Sequence, residues 1–322
     1  WMWKASINNF INTLFFITIF LATNPIWVQQ LYKYFWKYVG LLLIIGIVFF
    51  HNPNALSYLP YSTLFIFAAI APSKKKWLLL AIIFLFFITQ EQRNDLAKIA
   101  VAIIIGLTFY LFKRHVPLKV LKIVHSFLLL APFLLLYFGI NGSFNIFNMN
   151  EYIKSDIKRN TQNEQGMTYE DDLKADTRTF IYRNVFYTME KYDAWILGRS
   201  TAFGDRIIEE SYDITKLKGR YGNEVQILNL LLWYGIISIV LYFLIYARAS
   251  YLAIYKSNSI YMKAIGIYTA FLWLWAFIWV VSRFVTYFFM NIIFLGICFS
   301  KQFLNMKDKD FECWTNYIFK KR

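Results

Sequence analysis

Apolar stretches long enough to cross a lipid bilayer follow one another along this chain, and they set what it can fold into. A spanning helix needs about 20 mainly apolar residues. By that measure the sequence predicts nine spans, near 7–23, 35–50, 55–71, 77–89, 95–112, 119–140, 224–246, 260–281 and 284–300. The second and fourth are short, and a short span crosses by thinning the bilayer or packing inside the bundle. Charged residues are only 16% of the chain, against roughly 25% in soluble domains, which excludes a pair of ordinary soluble domains. The expected fold class is an all-α polytopic membrane protein, with about nine transmembrane helices and one large, partly helical extracytoplasmic loop.

The net charge of +15 fits either a patch for nucleic acid or a set of orientation signals, and its distribution separates the two. Lys33 and Lys37, Lys74 to Lys76, Lys113 to Lys122, Arg248 to Lys263, and the tail from Lys301 to Arg322 all fall after alternate spans. Short loops rich in Lys and Arg stay in the cytoplasm. These connections carry the whole basic excess, so no nucleic-acid partner is implied. The chain then divides into transmembrane helices over 1–140, an extracytoplasmic loop over 141–223, further transmembrane helices over 224–300 and a cytoplasmic basic tail over 301–322. Within 141–222, 12 basic and 13 acidic residues nearly cancel. Trp1 falls outside. Because 1–24 lacks a basic region followed by a small-residue cleavage site, that start is expected to follow upstream spans rather than to be a signal peptide.

Several kinds of chemistry lack their residues. His51, His115 and His125 all lie outside the large loop and have no metal-ligand spacing, and Cys298 and Cys313 fall on the cytoplasmic side. Gly198 to Gly204 has no Lys-Ser/Thr ending and reads as a plain turn. Asp171, Asp172 and Asp176 read as a solvated helix start before they read as a cation site. Asp176 is expected to cap a helix running through Arg178, Ile181, Val185 and Met189, whose apolar positions share one face. No internal repeat and no broken helix near the midplane is evident.

What remains is a set of arginines on the outer side. Arg93 sits at the junction of two spans, and Arg283 sits in the turn Val281-Ser282-Arg283-Phe284. Ion pairing, for Arg93 with Glu91 or Asp95, or snorkelling to headgroups is the plain explanation. The sharper one is an anion site: Arg178 opens a helix, and a guanidinium beside a helix N-terminus suits a phosphate. Two or three such groups can hold a diphosphate without metal. Glu224, where the loop re-enters the membrane, is either a favourable helix-start carboxylate or a proton acceptor.

Together these residues resemble the membrane family of O-antigen ligases and O-antigen or capsule repeat-unit polymerases, over roughly 90–300. The resemblance lies in an outer-end arginine, here Arg93; in an arginine opening a loop helix followed by aromatics and a Leu-Gly turn, here Arg178, Tyr182, Leu197 and Gly198; and in Glu224, Leu228, Tyr234 and Gly235 at the loop's end. The flanks of Arg93 depart from the family's usual Ser-Arg-Gly. Ligases place histidine where this chain has Glu224, which favours a polymerase.

The resemblance implies a metal-independent glycosyltransferase of the bacterial inner membrane, without cofactor, acting on undecaprenyl-diphosphate-linked oligosaccharide at the periplasmic face. Arg93, Arg178 and Glu224 would be catalytic. Arg93, Arg178, Arg283 and Tyr182 would bind substrate. The partners implied are the lipid-linked donor, an acceptor glycan, membrane lipid and a chain-length regulator or flippase. The alternatives are a ligase that uses lipid A core as acceptor, a transporter or flippase of lipid-linked sugars, and an envelope scaffold.

Overall fold

The computed structural model describes residues 2–35, 38, 93–112, 116–148, 158–162, 168–172, 176, 178–205, 221–280 and 286–319. Apart from Phe35 and Tyr38, the expected spans near 35–50, 55–71 and 77–89 lie outside the described residues, as does the turn bearing Arg283. The described chain is mostly helical. In order come α1 (Met2–Leu14), α2 (Thr18–Leu21), α3 (Pro25–Tyr34), α4 (Arg93–Phe112), α5 (Leu118–Ile140), α6 (Thr179–Lys191), α7 (Gln226–Tyr255), α8 (Ile260–Trp275), α9 (Thr286–Phe299), α10 (Lys301–Asn305) and α11 (Asp308–Phe319).

The departure from helix is an antiparallel hairpin, β1 (Lys158–Gln162) and β2 (Thr168–Asp172), so the all-α expectation is corrected there. Its register sets Lys158 opposite Asp172 and Arg159 opposite Asp171. Asp171 and Asp172 therefore end a strand instead of starting a helix.

Among the described residues two helices, α5 and α7, are long and apolar enough to cross a membrane. A third span is reached if Ser6–Leu21 and Pro25–Tyr34, bent 118° to one another, form one broken span. The bend falls where the Asn24 side chain accepts from the Ile26 and Trp27 amides and Pro25 takes the first helical position. The span expected over 260–281 is helical only to Trp275. Its 16 residues rise about 24 Å, short of the roughly 30 Å hydrocarbon layer.

The core lies where α8 is enclosed by α7, α5, α4 and α9. Lipid-facing helices gain little hydrophobic drive toward one another, so close approach and interhelical hydrogen bonds decide their packing. Both occur here. Gly266 of α8 meets the small residues Ala253 and Ser250 of α7. Trp273 Nε1 donates to Leu129 O of α5 at 3.1 Å, and His125 of α5 bonds Ser250 at 2.9 Å and the Tyr255 hydroxyl at 3.1 Å. The tail is also folded: α11 buries Phe311, Thr315 and Ile318, and Trp314 Nε1 donates to Pro25 O at 2.9 Å.

Candidate functional site

The four residues after Trp275 organise one end of the bundle. The last carbonyls of α8 accept from the amides of 276–279, and the four carbonyls of those residues are in turn taken by other segments. Ile227 N donates to Ala276 O at 3.1 Å and Gln226 N to Trp279 O at 3.3 Å, so the first amides of α7 are satisfied by the end of α8. The Tyr182 hydroxyl donates to Phe277 O at 2.6 Å, and Arg178 Nε donates to Ile278 O at 3.1 Å. This unwound turn thereby fixes α6 and the start of α7 against each other.

Arg178 stands at the N-cap of α6, with Ile181, Val185 and Met189 buried along the expected face. The cap is built from upstream: Asp176 Oδ1 accepts from Arg178 N at 3.0 Å and Thr179 N at 2.9 Å, and Asn145 Nδ2 reaches Asp176 Oδ2 at 3.3 Å. Partial burial pushes the Asp176 carboxyl up. The Thr179 hydroxyl and amide, the Arg178 amide and Asn145 outweigh that effect and hold it below the usual carboxylate value.

The guanidinium of Arg178 lies 4.9 Å from the centroid of the Trp279 ring, a cation–π shelf. Its Nη2 meets Glu224 Oε2 at 3.4 Å. The pair is lopsided, with the arginine side chain 10% exposed and the glutamate 53%. One partner is seated within the fold, while the other is half-exposed.

Glu224 is positioned by its neighbour. Asn223 N donates to Asn229 Oδ1 at 2.6 Å, and Asn229 Nδ2 donates back to Asn223 O at 2.9 Å. A side chain in the first turn of α7 thus closes a ring on the residue before Glu224. The Tyr182 hydroxyl is held by Phe277 O, its ring packs on Phe147 and Phe186, and burial raises its phenol against the opposing charge of Arg178.

Arg93 begins α4, with its side chain outside the described residues, and Arg283 lies outside them altogether. The structure therefore brings together Arg178, Tyr182 and Glu224 of the residues singled out from sequence. Sequence reasoning missed Trp279, the carbonyls of Phe277 and Ile278, and the Asn223–Asn229 ring. Only the last left a mark in sequence, as an asparagine inside an apolar run.

The turn after α6 is more than a plain one. Gly198 (φ 73°) and Gly235 (φ 71°, ψ −167°) face each other, and a Cβ on Gly235 would stand 2.1 Å from Ile196 O. Gly235 breaks α7, contrary to the unbroken span expected. The carbonyls released there are recovered by the loop: Arg199 N donates to Leu232 O at 2.7 Å and Ser200 N to Trp233 O at 3.0 Å, while Ile236 N donates to Trp195 O at 2.8 Å. Arg199 stacks 3.6 Å from the Tyr192 ring centroid and donates to Gly204 O at 3.0 Å.

Comparison with protein-family models, with curated proteins and with solved structures finds no match to this chain.

Proposed function

We propose that this chain is a polytopic glycosyltransferase of the bacterial inner membrane that polymerises lipid-linked oligosaccharide repeat units, as the proteins it resembles do. In this reading about nine spans set the basic connections in the cytoplasm and 141–223 in the periplasm. The observation that carries the reading is the meeting of Arg178 and Glu224 at 3.4 Å. Arg178 lies near the middle of that loop and Glu224 just past its end, and the sequence assigns each a complementary role.

The lopsided pair supplies a mechanism. The diphosphate of an undecaprenyl-linked donor competes with Glu224 for the seated guanidinium, and charge-assisted bonds of about 1.5–3 kcal/mol each stabilise it. Arg93 and Arg283 add to this clamp. Displaced from Arg178, the Glu224 carboxylate takes the proton of an acceptor sugar hydroxyl. That oxygen forms the new bond to the anomeric carbon, the bond from this carbon to the phosphate oxygen breaks, and the lipid diphosphate leaves with the electron pair. Tyr182 contributes its ring to the wall beside the donor.

Glu224, in place of a ligase's histidine, favours polymerisation over ligation to lipid A core. The break at Gly235 favours the transporter reading, since broken helices line transport sites; here the loop amides of Arg199 and Ser200 occupy the freed carbonyls, which supports a staple instead of a pathway. The test is Arg178→Ala and Glu224→Gln in cells making the polysaccharide. Single repeat units accumulating on the lipid carrier are expected, whereas full-length chains left on the carrier indicate ligation. Normal long-chain product with either variant would overturn the assignment.

A further inference from the structure

The turn that closes on Gly235 presents apolar side chains that its own fold leaves uncovered. Ile196 is 67% exposed and Leu197 75%, and Phe203 is exposed on the same turn. A backbone bond from Ile236 N to Trp195 O, at 2.8 Å, sets these residues against the exposed face of α7, where Ile236, Ile237, Val240 and Leu241 follow. One apolar strip therefore runs from the turn onto the helix. The break at Gly235 also divides α7 by its surroundings: Gln226 to Trp233 are all buried, and exposure begins at Ile236.

Two lengths place the turn along the bundle. From Ile236 to Tyr255, where Lys256 follows, α7 rises about 29 Å, matching a hydrocarbon layer of roughly 30 Å. The first helices supply the second length: Ser6 Oγ lies 2.9 Å from Thr201 Oγ1, and at the opposite end Thr23 O accepts from Ser300, beside Lys301. Ser6 to Leu21 rises about 23 Å. Both lengths put residues 196–201 at the limit of the hydrocarbon, at the end away from Lys256 and Lys301.

We propose that the turn over 195–203 is embedded in the lipid leaflet at this end of the bundle, with Ile196 and Leu197 among the acyl chains and Arg199 at the level of the phospholipid headgroups. The inference stands apart from the glycosyltransferase reading and needs only that α7 crosses a membrane. Lipid is the occupant selected because the strip continues without interruption into helix surface that faces acyl chains, and a contiguous exposed apolar patch marks a surface that is covered in use. The patch also ends in the residue types of a membrane interface. Arg199 lays its guanidinium 3.6 Å from the ring centroid of half-exposed Tyr192 and donates to Gly204 O; tyrosine and a long cationic side chain both sit where an apolar body meets a wet headgroup. The backbone bonds from Arg199 N and Ser200 N to Leu232 O and Trp233 O hold the tip at this level.

The test measures depth. The full chain carrying Cys313→Ser, with Cys298 left buried, receives a nitroxide at Leu197→Cys and is reconstituted in phosphatidylcholine nanodiscs. Collisions of the label with dissolved oxygen and with a water-soluble nickel chelate are then recorded. Leu241→Cys on the exposed face of α7 and Glu190→Cys on the exposed polar side of α6 supply the lipid and water references. Nickel collisions at 197 are expected to be about tenfold fewer than at 190, since a polar solute loses at least that much on leaving water, with oxygen collisions higher and a depth between those of 190 and 241. Nickel access at 197 equal to that at 190 would place the turn in water and overturn the proposal. Low access to both reagents overturns it as well, because a second copy or another protein then covers the tip. Should Leu197→Cys fail to fold, Ile196→Cys carries the same measurement.

Discussion

The two ends of α8 are finished in opposite ways. At its start, Asp308 accepts from the Ser259 hydroxyl at 2.9 Å and from Ile260 N at 2.8 Å, and Ser259 in turn accepts from Tyr261 N at 3.2 Å. Tyr261 then donates to Glu312 at 2.6 Å. Acidic groups at a helix N-terminus complete its backbone bonding and favour the dipole. At the other end, among the described residues, the one carboxylate that caps a helix, Asp176, serves α6 and leaves α8 untouched. The carbonyls of 276–279 are divided among a tyrosine, an arginine and two amides of α7, and the carboxylate facing the guanidinium, Glu224, makes a longer contact from a half-exposed position. Short bonds that close a helix start identify structure. A seated cation facing a half-exposed carboxylate is the arrangement the proposed mechanism uses.

The sharpest way to break this contrast is at Gly235. Its backbone conformation is one that other residues rarely adopt, and Ile196 O leaves no room for a Cβ. Gly235→Ala is expected to destabilise by about 3 kcal/mol or more, read as lost expression or a lowered Tm in detergent. If the variant folds normally, the site end owes nothing to the break. Next comes Arg178→Ala, expected to lower polymer formation about a hundredfold or more. Arg178→Lys recovers only part, because an ammonium cannot at once donate to Ile278 O and lie flat on Trp279. Glu224→Gln should cut activity comparably while moving Tm little, since a half-exposed ion pair contributes roughly 0–1 kcal/mol. Asp308→Ala reverses that pattern: about 1 kcal/mol of stability is lost with its cap, and polymer formation per folded molecule is unchanged. Loss of activity without loss of stability at Asp308 would erase the distinction between the two ends.

The smallest effect is acid sensitivity at the start of α6. Because the Asp176 carboxyl is held below its ordinary value in the folded chain, its contribution is complete above the unfolded value and disappears as pH falls through the folded one. Amide exchange over 178–191 is therefore expected to quicken in acid below the usual carboxylate range, and Asp176→Asn should abolish the pH dependence.

How much of this was legible beforehand varied by feature. The buried face of α6 followed from the spacing of Ile181, Val185 and Met189, because helix periodicity is written in side chains. Asp176 acts at the expected helix start, though from two residues before the N-cap instead of at it. The membrane character of α5 and α7 followed from hydropathy. The carbonyl turn could not be read, since every residue carries the same carbonyl and apolar sequence continues past Trp275 without a stop signal. The hairpin is not legible because Lys158 to Asp172 carries only Met167 and Tyr169 among polar residues, too few to show an alternation. Gly198 and Gly235 were each noted, yet their meeting depends on a fold that neither encodes locally.

That meeting has a bearing on biogenesis. The freed carbonyls of Leu232 and Trp233 would be unpaired in hydrocarbon, and the groups that pair them, Arg199 N and Ser200 N, belong to a segment already synthesised when α7 emerges. A ribosome therefore delivers the staple before the helix that requires it. Permuting the chain so that α7 precedes residues 194–200 would present the membrane-insertion machinery with a broken helix and nothing yet made to mend it.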